Sequence, residues 1–440
     1  MKFYNRISEL KELQRIQSLS FRDHSRMTVV TGRRRIGKTS LILRSVEDQP
    51  TIYLFVGRKN EATLCSEFIP IIRQSLNIFV PDEIRSFRSL FQYLMEVAST
   101  RPFNVVIDEF QEFYHVNPSI YSDMQYIWDL YRERSKMNLI VAGSLYSLMQ
   151  KIFQDKKEPL FGRADNIIKL SAFNLATLKE IIEDHHPGHT QDDLLALYTF
   201  TGGVPKYVEL LCDNVKLDVH EMISFMVREN SPFIDEGKNL LVEEFGKNYA
   251  TYFSILSAIS GGMNTQAKIE VALGDKNIGG YLKRLIEDYH IIQRHRPILS
   301  KEGTQAVRYD IQDNFIRFWF NYFDRYRSLI EIKNFIALQQ IVTDDYPTYS
   351  GHMLERYFKQ QLAESHQYKM IGSWWEPRGE QHEIDIVALR LEKNRALVAE
   401  VKRQKKNFKP VLLAKKVERL KKKVLPKYEI EMVCLSLEEM

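Results

Sequence analysis

The chain has 440 residues, 44% of them hydrophobic and 27% charged, with a formal net charge of +5. That length supports about two to four domains with cores of their own, and the composition excludes a disordered or fibrous chain. Cys65, Cys212 and Cys434 are too scattered for a disulfide framework or a zinc site, and neither a signal peptide nor a bilayer-spanning apolar run is visible, so the expectation is a soluble, cytoplasmic protein with no membrane partner.

Residues 6–20 (RISELKELQRIQSLS) place apolar side chains at helical spacing, and MTVVTG then reads as a short buried strand entering a glycine-rich loop. The loop, GRRRIGKT at 32–39, fits the pattern GxxxxGKT. Gly32 and Gly37 permit the tight path in which backbone amides cradle phosphate, and the following helix presents its positive end. The nucleotide-binding set is therefore Gly32, Arg33, Arg34, Arg35, Ile36, Gly37, Lys38, Thr39 and Ser40, with ATP or ADP as ligand. Lys38 is expected to reach the β and γ phosphates, and Thr39 to give its hydroxyl to Mg2+.

TIYLFV (51–56), NVVIDEF (104–110) and NLIVAGS (138–144) read as further strands, with helical period at 61–76 and 119–134. The alternation implies a parallel sheet with helices on both faces. Asp108 ends an apolar run typical of a central strand, where it would hold Mg2+, while Glu109 would orient or polarise the attacking water. Ser144, at the carboxyl end of a neighbouring strand, is a candidate sensor of the γ phosphate or a small turn residue. Arg163, in PLFGRA, is either a charge stabiliser in the same or an adjacent subunit or one arm of a structural salt bridge.

After a last strand, NIIKLSAF, the period turns helical to about residue 246, broken by the turn signal of TGGVPKYV. Residues 250–311 have the order of a winged helix: two short helices, a third at 278–289, then HIIQRHRPI and VRYDI as wing strands. Lys283, Arg284, Arg294, His295 and Arg296 make this segment basic, which suits DNA or a protein contact. The aromatic stretch FIRFWFNYFDRY leads out of it. A helix around 351–365 opens the last unit, followed by the apolar runs EIDIVAL and ALVAEVK.

That last unit carries a second constellation. Asp385 and Glu400 fall on adjacent strands of a hairpin, close enough to share a Mg2+ or Mn2+ ion, and Glu400 and Lys402 leave one face of a strand. The Lys402 ammonium would stand beside the metal, placed to position or deprotonate a water or to steady developing phosphate charge. Glu355 adds an acid from the preceding helix. The basic run from Lys402 to Lys427 suits a phosphate backbone or a solvated helix face; Trp374 and Trp375 either stack on bases or pack a core.

FYNRISELKEL, TGRRRIGKTSLI, VVIDEFQE, VAGSLYSLM, LFGRA and TGGVPKYV, in that order and spacing, resemble the archaeal-type ATPases, a branch of the STAND NTPases among the AAA-like P-loop proteins. The resemblance covers the first half of the chain. It implies that Gly203 and Pro205, in the helical-lid motif, lie near the nucleotide, and that nucleotide state can change assembly into a homo-oligomer. YDIQDNFIRFWF, GHMLERYF, IGSWW, EIDIVAL and AEVK resemble the DUF234-type domain joined to such ATPases and the PD-(D/E)XK nuclease fold. On that fold Asp385, Glu400 and Lys402 map to the nuclease core and Glu355 to the helical acid, with Ile384 standing where the nominal proline would.

The expected fold class is α/β multidomain. A P-loop NTPase core with a parallel sheet (1–170) is followed by a helical lid (171–246), a winged helix (247–312), a helical connector (313–345) and a restriction-endonuclease-like α/β domain (346–440). The expected function is Mg2+-dependent ATP binding and hydrolysis that regulates or drives a DNA-directed, nucleolytic carboxyl-terminal domain. The alternative is a slow nucleotide switch that binds DNA or protein partners without cleavage.

Overall fold

The computed structural model describes residues 1–144, 146–246, 249–301, 303–304, 306–376 and 382–440. Leu145 in VAGSLYSLM, Lys247 at the expected start of the winged helix, and Pro377 lie outside the described residues. The chain divides into two units, Tyr4–Ala172 and Phe173–Met440, the second also taking in Met1–Phe3.

The first unit runs α1 (Ile7–Arg22), β1 (Arg26–Thr31), α2 (Lys38–Ser45), β2 (Thr51–Phe55), α3 (Glu61–Leu76), α4 (Phe87–Ala98), β3 (Phe103–Asp108), α5 (Phe113–Val116), α6 (Ser119–Tyr131), β4 (Met137–Gly143), α7 (Tyr146–Gln154) and β5 (Asn166–Lys169). Its strands form one parallel sheet of order β2-β3-β4-β1-β5. Parallel neighbours cannot be joined by tight turns, so the crossovers carry helices and both faces are covered. That is why β3 and β4 are buried at every position and read as continuous apolar runs. One face packs around Phe68, Phe91, Phe110 and Trp128, the other around Leu13, Ile36, Leu41 and Ile42. Asn60 accepts from the Thr63 amide to start α3, and Ser86 from the Ser89 amide to start α4; such caps satisfy first-turn donors and contribute about 1 kcal/mol each.

The sheet order positions the site. Strand β4 is intercalated between β1 and β3, with Thr31 opposite Gly143 on one side and Ile107 opposite Val141 on the other. The loop after β1, Asp108 and Ser144 therefore all emerge at the carboxyl edge, where open parallel sheets bind ligands.

The second unit begins with α8 (Leu175–His185), α9 (Gln191–Thr201), α10 (Pro205–Asn214), α11 (Val219–Met226) and α12 (Glu236–Phe245). Next come α13 (Tyr249–Ser260), α14 (Gln266–Ala272), α15 (Gly279–Glu287) and the antiparallel pair β6 (Ile292–His295) and β7 (Arg308–Ile311), in winged-helix order. Then follow α16 (Asn314–Trp319), α17 (Arg327–Glu331) and α18 (Phe335–Glu364). The chain ends in β8 (Tyr368–Trp374), β9 (Ile384–Arg390), β10 (Arg395–Val401), α19 (Pro410–Lys423) and β11 (Glu429–Leu435). These strands form a sheet of order β11-β10-β9-β8, antiparallel except where β10 meets β11. The crossover through α19 is what permits that parallel pair. Helix, three antiparallel strands, helix and a parallel strand make the restriction-endonuclease-like α/β domain.

Within FIRFWFNYFDRY the rings of Phe315, Phe318, Trp319, Phe320, Tyr322 and Phe323 are all buried, so the stretch is core. Gly237 admits Trp319, whose ring would lie 2.4 Å from any Cβ there. Helix α18 differs from the helix expected to open near residue 351. It starts at Phe335 and passes through Pro347 without ending. An interior proline costs about 3 kcal/mol, which the buried stripe Leu338, Val342, Tyr346, Met353, Tyr357 and Phe358 outweighs. The junction expected at 345/346 thus falls inside one helix. Among the described residues no helix is long and apolar enough to cross a membrane.

Candidate functional site

The phosphate loop is held in a path that few side chains could adopt. Gly32 has φ +151°, and a Cβ there would meet the Leu170 carbonyl oxygen at 2.8 Å; Gly37 has φ +86°. Arg35 between them is also left-handed, at φ +68°. This geometry presents the first amides of α2 to an anion at the helix's positive end. Lys38 is buried, and its Nζ donates to the carbonyls of Gly32 at 3.0 Å and Arg33 at 3.2 Å. Arg6, buried and left-handed, donates to the Ser171 carbonyl at 2.5 Å and the Ile36 carbonyl at 3.5 Å, so it braces the loop. Its position in RISEL, which reads as the start of a surface helix, gave no sign of this.

On the acidic side the Thr39 hydroxyl donates to Asp108 Oδ2 at 3.0 Å, and the Tyr53 hydroxyl donates to the same oxygen at 2.5 Å. The Glu109 amide donates to Asp108 Oδ1 at 2.9 Å. Burial first, then the bond to Asp108, push the Tyr53 phenol well above its ordinary pKa, so it remains a donor at neutral pH. Glu109 is left-handed at φ +53°, and its Oε2 accepts from Ser144 Oγ at 2.8 Å and Gln111 Nε2 at 2.5 Å. Gly143 lets this cluster close: a Cβ there would sit 2.4 Å from Gln111 Oε1 and 2.5 Å from Met149 Sδ. Thr39, Asp108, Glu109 and Ser144 are thus brought together, and Tyr53 and Gln111 join them. The glycine path, the buried lysine and the adjoining Thr39 and Asp108 oxygens fit a nucleotide triphosphate with Mg2+, a cation that takes few protein oxygens and keeps its waters.

Arg163 lies elsewhere. It pairs with Asp129 at 3.0 Å, in the last turn of α6, and precedes Asn166, which opens β5 opposite Thr28. Both places belong to the amino edge of the sheet, and the six residues of β1 separate that edge from the phosphate loop by about 20 Å. Of the two readings of Arg163, the structural salt bridge is the one formed within this chain. Gly203 and Pro205 belong to the other unit. Gly203 has φ +73°, with the Phe173 carbonyl oxygen 2.6 Å from any Cβ, and Pro205 is the first residue of α10, where its fixed φ suits a helix start.

In the last domain Asp385 and Glu400 adjoin across β9 and β10, next to the pair Ile386 and Ala399. Asp385 Oδ2 accepts the Val401 amide at 2.8 Å. Lys402 Nζ lies 3.2 Å from Glu400 Oε1 and 3.9 Å from Asp385 Oδ2, so the three residues converge. Lys416, on α19, joins them with its Nζ 3.1 Å from both Glu400 oxygens. Nothing in KKVERLKKK singles it out, because every lysine there looks alike until the register of α19 on the sheet is known. Glu355 is raised to about 7, chiefly by burial and next by the Asp385 charge, and Asp385 is itself raised by burial with Glu400 adding. Among the described residues no group of three His, Cys, Asp or Glu is arranged to hold a metal. Glu400 is instead neutralised by two ammonium groups, and a cation entering between Asp385 and Glu400 would have to displace one.

The wing does not stand free. Ile298, in the segment joining its strands, is buried in the carboxyl-terminal core beside Trp374, and its amide donates to the Ser373 carbonyl at 2.9 Å. Arg308 pairs with Glu383 at 2.6 Å and lies over the Trp375 ring at 4.4 Å. Both tryptophans are buried, so they pack rather than present faces for bases. Part of the basic character is absorbed as well. Lys283 pairs with Glu287 at 3.7 Å, burial pushes the His295 imidazole below its ordinary pKa, and Arg419 and Lys423 both pair with Glu376.

Comparison with known proteins agrees with this architecture. Residues 3–211 match a family described as an ATPase domain predominantly from Archaea, and residues 319–419 match DUF234, described as Archaea bacterial proteins of unknown function. An uncharacterized protein of Methanocaldococcus jannaschii, MJECL04, is 31% identical over 410 residues, spanning 91% of this chain and 87% of its own. The Walker-type ATPase PABY2304 of Pyrococcus abyssi has a TM-score of 0.54 at 18% identity, covering 72% of this chain and 96% of that one, a likeness of fold. The ORC2 protein of Aeropyrum pernix, solved as ADPNP–ADP complexes, has a TM-score of 0.47 at 14% identity, covering 78% and 96%.

Proposed function

The chain belongs to the archaeal-type ATPases that carry a DUF234 domain, and from that membership we propose Mg2+-dependent ATP hydrolysis whose nucleotide state governs a DNA-directed carboxyl-terminal domain. One observation carries the reading: a single chain holds two separate clusters suited to phosphate, Lys38 with Thr39, Asp108 and Glu109, and Asp385 with Glu400, Lys402 and Lys416.

At the first cluster Lys38 exchanges two neutral carbonyl partners for the β and γ phosphates. Thr39 and Asp108 hold the ion, which when bound offsets charge developing on the transferred phosphoryl group. Glu109 orients the attacking water, and Ser144 with Gln111 sets the direction of its carboxylate. The contacts that support coupling of the helical lid to the second cluster are those of Arg403, next to Lys402, which donates to Asp192 of α9 at 2.8 Å and to Ser350 of α18. Glu364 of α18 accepts the Leu175 amide at the start of α8. Lys415, Lys421 and Lys422 are exposed on α19 and supply nonspecific attraction for a nucleic-acid backbone.

A second reading, a switch that binds DNA or a protein without cutting, is favoured by the double neutralisation of Glu400 and by the bond that Asp385 accepts from the Val401 amide. One experiment separates the two. Purified chain is incubated with single-stranded, duplex and branched DNA in Mg2+ or Mn2+, beside Lys38→Ala, Asp385→Ala and Lys402→Ala. The leading reading expects ATP turnover lost in Lys38→Ala and cleavage lost in the other two. DNA that is bound but left intact in every arm overturns cleavage and leaves the switch; undiminished turnover in Lys38→Ala overturns the ATPase assignment to this loop.

A further inference from the structure

Asp108 has more donors than a residue awaiting only a cation's water shell needs. A carboxylate oxygen offers two lone-pair sites. On Oδ2 both are taken, by the Thr39 hydroxyl at 3.0 Å and the Tyr53 hydroxyl at 2.5 Å; on Oδ1 one is taken, by the Glu109 amide at 2.9 Å. Tyr53 comes from β2, the edge strand beyond β3, where Tyr53 is opposite Val106 and Phe55 opposite Asp108. Its ring crosses from that neighbouring strand to the acid, so its hydroxyl reaches Asp108 from the sheet, beside the Thr39 hydroxyl. A Thr39 hydroxyl that gives a lone pair to a cation can still donate its hydrogen to Asp108, so that bond and the Tyr53 bond can both persist with the ion in place.

We infer that Tyr53 is a positioning residue for the ATPase reaction: it holds the Asp108 carboxylate in one orientation, with a lone-pair site left on Oδ1, so that the acid would meet Mg2+ or its water already in place. This rests on the proposed part of Thr39 and Asp108 in holding Mg2+, and the experiment keeps the two apart.

The affinity of a fluorescent ADP analogue is measured across a Mg2+ titration, and in excess chelator, for the full chain, Tyr53→Phe, Asp108→Asn and the double variant. Removing such an outer partner of a metal ligand is expected to weaken the apparent Mg2+ affinity by about tenfold. The affinity without metal is expected to stay within about twofold, and the double variant to be no worse than Asp108→Asn, since the tyrosine acts through that acid. If Asp108→Asn depends on Mg2+ as the unaltered chain does, the metal reading itself fails. If Asp108→Asn loses Mg2+ dependence but Tyr53→Phe does not, only the positioning inference falls. Equal weakening by Tyr53→Phe with and without metal overturns it too, because the ring would then be packing alone.

Discussion

The Ser144 hydroxyl is bonded to the Glu109 carboxylate at 2.8 Å, across the carboxyl ends of two adjacent strands. On the roles proposed for the two residues, a γ phosphate reaching Ser144 would compete with Glu109 for that donor, and the one bond would tie recognition of the third phosphate to the placement of the attacking water. Ser144→Ala is expected to lower turnover by up to about tenfold, the worth of one hydrogen bond, with ADP affinity unchanged. Glu109→Gln, which keeps the shape and removes the base, is expected to lower it by about 10²-fold or more. Phosphate release and equilibrium nucleotide binding measured together check both. A Ser144→Ala variant with weakened binding and normal turnover would place Ser144 on the nucleotide and off Glu109.

Because Arg163 is tied to Asp129 at the amino edge of the sheet, its loss should be felt in stability before catalysis. Arg163→Ala is expected to leave turnover of dilute protein within about twofold and to cost at most about 1 kcal/mol, the usual worth of a partly exposed pair. A rate that falls only as protein concentration rises would reveal a role across subunits. Phosphate release over a hundredfold range of concentration, with size measured in parallel, decides this.

Glu355 sets a pH dependence whose sign follows from its raised pKa. Its proton is held more tightly in the folded chain than in the unfolded one, so its contribution to stability is fully present below the ordinary value of 4.5 and is lost as pH rises through about 7. Thermal unfolding followed from pH 5 to 8 should show a declining midpoint. Glu355→Gln, which cannot ionise, is expected to flatten that decline; an unchanged slope in the variant would assign it to other groups.

The seat of Ile298 predicts that the wing and the carboxyl-terminal domain are stabilised together. Ile298→Ala is expected to destabilise the domain by about 2 to 4 kcal/mol, as for other aliphatic truncations in cores. Urea unfolding read by tryptophan emission, with protease sensitivity of the wing, measures it. A loss under about 0.5 kcal/mol, the size of an ordinary surface change, would mean that the contact is incidental.

Much of this was legible in the sequence where one local rule acts alone. GRRRIGKT, the buried runs of β3 and β4, and the cross-strand placing of Asp385 and Glu400 followed from loop chemistry, burial and period two. What was missed depends on partners distant along the chain. Tyr53 meets Asp108 from another strand, Lys416 meets Glu400 from a helix of similar lysines, and the wing is anchored on another domain's sheet by Ile298 and Arg308. The helix expected around 351–365 begins instead at Phe335, where packing carries it through Pro347. Of the two readings open for Arg163, the salt bridge is the one formed within the chain, because a motif fixes a residue along the chain but not which edge of a sheet it faces.

The thirty residues of α18 have a bearing on how this protein could have been assembled. At about 1.5 Å per residue the helix extends about 45 Å, and its buried stripe is shared between lid helices at its start and the terminal sheet near its end. Recombination that joined a new terminal cassette at 345/346 would divide that stripe, with Leu338 and Val342 on one side of the joint and Tyr346, Met353 and Tyr357 on the other. Exchange upstream of Asn334, the residue that caps the helix, would carry it across whole. Inheritance of the two halves should therefore break before α18 and not at 345/346.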